Sequence, residues 1–286
     1  MASPAEPAAG GILYVVATPI GNPADLSPRA IEILRSADLI ACEDTRRTGA
    51  LLAAHAIRKP LLSYFEHNEE RRIPEIIARL EAGARIALVT DAGTPGISDP
   101  GFRLVRAVHS AAIRVVAVPG PSAVAAALSI AGIATDRFVF EGFLPVRAAA
   151  RRAALEALAG ERRTIVIYEA ARRLGEMLQQ MADAFGLDRE AAVVREMTKT
   201  YEETARGTLG ELAARYAEHQ ALGEVTVVVA GAAGENRERA HGGLEVETLI
   251  EAGMSLKDAS ALIARIEGRS RREIYQQALR ARGGRD

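Results

Sequence analysis

One cysteine, Cys42, is all that 286 residues contain. That excludes an internal disulfide framework and fits a reducing compartment. No apolar run reaches the ~18 residues needed to cross a bilayer. The first eleven residues lack the basic-then-apolar pattern of an export signal, so a cytoplasmic protein with no membrane association is expected. Net charge is −1, so any nucleic-acid contact must come from a local basic face. The histidines (His55, His67, His109, His219, His241) are scattered and Cys42 stands alone, so no metal site is expected. There is no G-x-G-x-x-G fingerprint, no P-loop and no G-x-S-x-G elbow. What remains is ordinary globular composition, 49% hydrophobic and 26% charged, long enough for one large domain or two modest ones.

The most informative segment present is Arg85-Ile-Ala-Leu-Val-Thr-Asp-Ala-Gly-Thr-Pro-Gly-Ile-Ser-Asp-Pro-Gly101. A buried strand at 86–89 runs into a loop with three glycines (Gly93, Gly96, Gly101) and two prolines (Pro95, Pro100), and a helix at 102–110 follows. Glycine lets backbone approach a ligand closely and proline stiffens the path. Loops at the carboxyl ends of parallel strands are where open α/β sheets bind ligands. A plain strand-to-helix connection would give a similar pattern.

The same alternation runs through the chain. Strands are expected at 12–17, 39–41, 61–64, 86–89 and 114–118, with helices at 28–36, 49–55, 69–81 and 102–110 between them. Ser27 reads as an N-cap with Pro28 at the first helical position. Such alternation implies an α/β fold with a mostly parallel sheet covered by helices. Val118-Pro-Gly-Pro-Ser122 separates a domain over 12–120 from a second α/β domain over 121–232. Strands are expected there at 137–141, 164–168, 191–195 and 225–230, and helices at 123–131, 147–158, 172–184 and 208–217. A Gly-rich stretch over 231–243 reads as a linker to a small helical domain at 244–286. In it Ser255 caps a helix, Gly268 breaks it, and Ser270 with Glu273 forms a capping box for the next. Two short helices joined by a glycine turn resemble a helix-turn-helix. Arg265, Arg269, Arg271, Arg272, Arg280, Arg282 and Arg285 make this module basic, although a solvated cap would also fit.

Four loops, at 18–25, 43–48, 91–101 and 119–123, should converge at the strand ends. Asp91 or Asp99 could accept hydrogen bonds from a ribose or an ammonium, and Thr94 and Ser122 can donate or accept. No lysine lies in the glycine loop and nearby acids would repel phosphate, so a zwitterionic or cationic nucleoside suits the site better than a triphosphate. In the second half, charged residues follow two strands, at 168–173 and 195–203. Arg147, Arg151, Arg152, Arg162 and Arg163 form a positive strip that would attract an RNA backbone.

Six motifs in order carry a resemblance. They are Leu13-Tyr-Val-Val-Ala-Thr-Pro-Ile-Gly-Asn22, Glu43-Asp-Thr-Arg46, Asp91 to Gly101, Val118-Pro-Gly-Pro-Ser122, Phe140-Glu-Gly-Phe-Leu-Pro145 and Arg195-Glu-Met-Thr-Lys199. Together they resemble the ribosomal small-subunit methyltransferase I family, within the tetrapyrrole-methylase-like superfamily. The resemblance implies a two-domain class III S-adenosylmethionine-dependent methyltransferase fold, with the cofactor between the domains, a small C-terminal helical domain, and a homodimer. It implies methyl transfer to the ribose 2′-oxygen of cytidine 1402 of 16S rRNA, in the decoding region of the 30S subunit. Gly93, Thr94, Pro95 and Ile97 match the cofactor loop of the superfamily. Thr94 stands where many relatives carry Asp, for which Asp91 is the alternative. Pro19, Ser122, Ala123, Tyr168 and Thr226 match other cofactor-cleft positions. Lys199, Glu196 and Glu43 are candidates for base or oxyanion stabilisation, and Arg46, Arg47 and Arg195 for holding phosphates. Two rivals are a sister enzyme acting on a small tetrapyrrole and a non-enzymatic ribosome-binding protein. The basic strip and helices argue against the first, and intact Gly93, Pro95 and Ser122 against the second.

Overall fold

A computed structural model describes residues 10–218, 223–232, 246–251, 253–267 and 270–283. Residues 1–9, nearly all of the expected linker, and Gly268, Arg269 and Arg285 lie outside them. Two compact units emerge, Met1–Ala232 and Ala233–Asp286.

In the larger unit, β1 (Ile12–Val16), β2 (Leu39–Cys42), β3 (Leu61–Ser63), β4 (Arg85–Val89) and β5 (Arg114–Val118) form an all-parallel sheet in the order β3-β2-β4-β1-β5. The central strands are apolar throughout because both faces are covered. Leu13, Ile86 and Leu88 point to one cluster with Ile76, Leu80 and Leu104, while Tyr14, Val16 and Val89 point to another with Leu34 and Leu52. This is the two-residue alternation of a pleated strand. Helices α1 (Pro28–Ser36), α2 (Thr45–Ala54), α3 (Glu69–Glu81) and α4 (Phe102–Ser110) make the connections. Ser27 caps α1, its Oγ accepting from the Ala30 N–H at 3.1 Å, with Pro28 at the first position as the sequence predicts.

Helix α2 begins four residues earlier than expected. The carboxylate of Asp44 accepts from the Arg46 N–H at 2.8 Å and acts as N-cap. The stretch expected as a loop at 43–48 is therefore mostly the first turn of a helix, and Arg46 and Arg47 sit on it.

The second sheet has the order β6-β7-β10-β8-β9, from β6 (Phe138–Phe143), β7 (Thr164–Ala170), β8 (Glu190–Arg195), β9 (Glu203–Thr208) and β10 (Glu224–Val229). Only β6 and β7 run parallel; the other pairings are antiparallel. Strand β9 is absent from the sequence reading. It is an edge strand whose single buried residue is Ala205, so it lacks the apolar signal of its neighbours. Helices α5 (Ala123–Ala131), α6 (Ala148–Leu158), α7 (Leu174–Phe185) and α8 (Leu209–Glu218) accompany this sheet.

Of the five arginines of the expected strip only Arg151 is buried; the other four stay on the surface. Arg151, expected on a basic surface, is 1% exposed. Its Nε donates to Gln180 at 2.7 Å and its guanidinium pairs with Glu176. Arg163 is held by Glu161 at 2.7 Å. Arg147, Arg152 and Arg162 remain exposed.

Among its described residues the smaller unit holds three helices rather than two: α9 (Val246–Glu251), α10 (Leu256–Glu267) and α11 (Arg271–Gly283). They share a core of Val246, Leu249, Ala259, Ile263, Ile274 and Ala278. Ser255 caps α10, accepting from the Asp258 N–H at 3.1 Å. The Glu273 side chain, and with it the expected capping box, lies outside what is described. No helix among the described residues is long and apolar enough to cross a membrane.

Candidate active site

Strand order creates the site. Because β4 inserts beside β1, the loops that leave these two strands lie together. The Thr18 N–H donates to the Gly93 carbonyl at 2.8 Å, the Gly93 N–H returns a bond to the Thr18 carbonyl at 3.1 Å, and the Thr18 hydroxyl donates to the Thr90 carbonyl at 3.0 Å. Gly93 has φ +85°, a conformation that costs a side-chain-bearing residue strain. Thr94 Oγ1 donates to the Pro121 carbonyl at 3.3 Å and ties the glycine loop to the entry of α5. At the loop's far end the buried Glu69 accepts from the Gly101 N–H at 3.1 Å and from the Tyr64 hydroxyl at 2.8 Å.

The β1 loop also joins the two sheets of the larger unit. Ile20 packs among Met197, Val124, Ala127, Val166 and Val228. Asn22 N–H donates to Thr198 Oγ1 at 3.0 Å. A Cβ on Gly21 would lie 2.7 Å from both the Lys199 Cγ and the Met197 carbonyl oxygen, so only glycine allows this approach. Opposite it, Glu196 and Thr198 hold left-handed backbone at φ +52° and +65°. Two such non-glycine residues in one short turn mark stored strain of the sort found at functional sites.

Two adjoining cavities result, sharing Ile20, Ala92 and Glu224 in their walls. The first measures about 350 Å³, within the range of small-molecule sites. Of the expected cofactor residues, Gly93, Thr94, Ile97, Ser122, Ala123, Tyr168 and Thr226 line it. Pro19 and Asp91 instead line the second cavity, of about 260 Å³, and Pro95 lines neither. Of the expected catalytic and phosphate-holding residues, Lys199 and Arg47 line the second cavity, and Glu196, Glu43, Arg46 and Arg195 line neither. Glu43 stands behind the second cavity's wall, accepting from the Thr90 hydroxyl at 3.1 Å. Arg46 is turned onto Asp44 at 2.8 Å, Arg47 reaches Asp91 at 3.3 Å, and Arg195 pairs with Glu203. Sequence reasoning missed Thr90, Met197 and Glu224. Glu224 opens β10 beside the end of β8, a position that only the antiparallel strand order reveals.

Charge distribution distinguishes the cavities. The first has Asp99, Glu169 and Glu224 in its wall and, among the described residues, no lysine or arginine. Glu169 is a neighbour of Val225 on β10, and its side chain pairs with Arg173 on the face covered by α7. Burial pushes the Asp99 carboxyl up to about 6; a hydrogen bond from Thr90 opposes this, and the charges of Glu43 and Asp91 add to it. Burial, with the charge of Asp99 beside it, moves the Tyr168 phenol up to about 12, against a backbone hydrogen bond from Val124. In the second cavity, burial works to lower the Lys199 ammonium. The hydrogen bond to Glu196 at 3.0 Å and the pairing with Glu224 at 3.3 Å outweigh it, so its pKa stands above the ordinary lysine value. Glu196 is moved the other way, below the carboxylate range, chiefly by its hydrogen bond from Lys199. Lys199 is thus held as an ammonium, with Glu196 as its carboxylate partner. Among the described residues no group of three or more His, Cys, Asp or Glu side chains could hold a metal ion.

The fold is that of a known class. Residues 12–213 match the model of the tetrapyrrole (corrin/porphyrin) methylases. The uroporphyrin-III C-methyltransferase of Thermus thermophilus superposes with a TM-score of 0.55 at 21% identity, covering 76% of this chain and 94% of that one. A cobalt precorrin-4 methyltransferase does so with a TM-score of 0.54 at 18% identity, covering 77% of this chain and 94% of that one. These likenesses define a class III methyltransferase fold. At higher identity, the chain is 48% identical to the ribosomal RNA small subunit methyltransferase I of Xylella fastidiosa over 93% of this chain and 98% of that protein. It is 48% identical to that of Pseudomonas aeruginosa over 96% and 98%, and 43% identical to that of Escherichia coli O157:H7 over 96% of each. Residues 243–282 match the model described as the RsmI C-terminal HTH domain. The chain belongs to the ribosomal RNA small subunit methyltransferase I family.

Proposed function

We propose that this chain transfers a methyl group from S-adenosylmethionine to the 2′-hydroxyl of cytidine 1402 in 16S rRNA. The names of its relatives support the rRNA substrate, and a structural neighbour of like fold is complexed with S-adenosylhomocysteine. The observation that carries the reading is the pair of adjoining cavities, one with carboxylates alone as its charged groups, the other with cations and carboxylates together. The first suits the cofactor. It is apolar apart from carboxylates and hydroxyls, it offers backbone at Gly93 and Ser122, and among the described residues it has no cation to hold a phosphate. Gly93, Thr94, Ile97, Ser122, Ala123, Tyr168 and Thr226 would hold the nucleoside, with Asp91, Pro19 and Pro95 shaping the loops behind it.

Bound there, S-adenosylmethionine supplies an already activated methyl group. The protein has to align the acceptor oxygen with that group and remove its proton. Lys199, held as an ammonium in the second cavity, stabilises the negative charge that develops on the acceptor oxygen. Glu196 and Glu224 hold it in place. The proton passes to Thr90 Oγ1 as the Thr90 hydroxyl proton moves to Glu43 Oε2, so that Glu43 is the final acceptor. Arg46, Arg47 and Arg195 hold flanking phosphates once they leave their carboxylate partners, for which the phosphate is the stronger bidentate ligand. The acting species is a homodimer; exposed Ile97 and Phe138 border an apolar groove of about 600 Å³ that supports this.

The test is methylation of assembled 30S subunits, free 16S rRNA and a precorrin by the purified chain, with the product mapped by mass spectrometry. A ribose methyl at cytidine 1402 is expected. Methylated precorrin with unmodified rRNA would replace this reading with the tetrapyrrole one.

A further inference from the structure

Asp99 is not needed by the proton path above, yet the loop contorts to bring it to the first cavity. Ser98, directly before it, has φ +60°, and Gly96 and Gly101 on either side have φ +83° and +144°. A Cβ on Gly142 would come within 2.8 Å of the Ser98 hydroxyl, so the turn is also closely backed by β6. The cost of such backbone is justified only by what it places, and what it places is a carboxylate in a wall that, among the described residues, has no lysine or arginine.

We propose that Asp99 is the counter-charge for the cationic methionine arm of S-adenosylmethionine, binding it through charge rather than through shape. This rests on the cofactor reading given above. Every charged or titratable neighbour makes Asp99 a cation seeker. Glu43 follows β2, Asp91 follows β4, the Tyr168 phenol comes from β7, and Glu224, in the same wall, from β10. Arg47, which lines the adjoining cavity, is taken by Asp91. Thr90 adds its part: it lies within hydrogen-bonding reach of Asp99 and favours the ionised carboxylate against burial. A cation beside Asp99 acts in the same direction, so near pH 6 its binding releases a proton.

The experiment is titration calorimetry of the full chain and of D99N with three ligands. S-adenosylmethionine carries sulfonium and ammonium, S-adenosylhomocysteine only the ammonium, and 5′-methylthioadenosine neither. D99N is expected to weaken S-adenosylmethionine at least about tenfold at pH 7.5, the minimum for a carboxylate whose ionisation a close cation favours. It should leave 5′-methylthioadenosine within about twofold, which also shows that the variant is folded. A loss for S-adenosylhomocysteine as well assigns the ammonium as the partner; no loss assigns the sulfonium; either supports the proposal. Equal loss for all three ligands, or none for S-adenosylmethionine, overturns it. Should D99N not fold, the native chain decides: near pH 6, titrations in buffers of different ionisation enthalpy must show proton release with S-adenosylmethionine and none with 5′-methylthioadenosine. Absence of binding by the native chain would instead sink the cofactor reading itself, before Asp99 is at issue.

Discussion

At Lys199 burial and pairing act in opposite directions, and pairing prevails. The residue therefore works as a fixed cation, and its loss should be felt in the transition state rather than in cofactor binding. Lys199→Ala is expected to lower kcat about 10²–10³-fold with S-adenosylmethionine affinity nearly unchanged, as single-turnover assays and calorimetry would show. Unchanged kcat would remove Lys199 from the chemistry. Gly21 is tested separately. Its missing Cβ is what lets the β1 loop approach the Lys199 turn, so Gly21→Ala should destabilise the chain by about 1–3 kcal/mol, read as a lower urea midpoint. At this scale the sequence was a good guide to the first cavity, because most of the residues it singled out at strand exits line that cavity. It was a poor guide to charge. Arg46, Arg47, Arg195 and Lys199 all read as free cations in the sequence, and each has a carboxylate partner that strand order or a helix turn delivers.

Among the elements, α1 shows local sequence and local structure in agreement, with Ser27 and Pro28 placing its start. Ser27→Ala should cost about 1 kcal/mol, seen in thermal or urea unfolding. Helix α6 shows the reverse case. Its arginines were expected in a positive strip on the surface, yet Arg151 lies inward against Gln180 and Glu176 on α7. Replacement by alanine should cost about 2 kcal/mol, the scale of a hydrogen bond to a charged group, whereas Arg152→Ala on the exposed side should be nearly silent. Strand β9 was unreadable because its pairing with β8 comes from backbone bonds, with one buried side chain to announce it. The start of α2 was legible in principle: Asp44 is a strong N-cap residue, hidden by the charged run around it.

For the larger unit as a whole, pH dependence should separate Asp99 from the other carboxylates. A carboxyl raised to about 6 in the folded chain binds a proton there that the unfolded chain has already lost above pH ~4. Its contribution is therefore complete below the unfolded value and disappears as pH rises through about 6. Glu196 and Glu75, whose pKa values are lowered chiefly by hydrogen bonds from Lys199 and Arg72, act oppositely, losing their contribution as pH falls through the acid range. Comparing D99N with the native chain isolates the first effect: D99N should gain relative stability between pH 4.5 and 7.5, and a constant difference across that range would contradict the burial of Asp99. The sheet arrangement carries one last consequence. Strand β1, first of the ten to be made, sits in the interior of its sheet between β4 and β5, and pairs with residues from Arg85 and Arg114 onward. On a translating ribosome the oldest strand must wait without a partner until β4 is made, and for its second neighbour until β5 follows. The loop that later grips both cavities is thus assembled late, and nascent chains cut short before β5 should remain protease-sensitive and in need of chaperones.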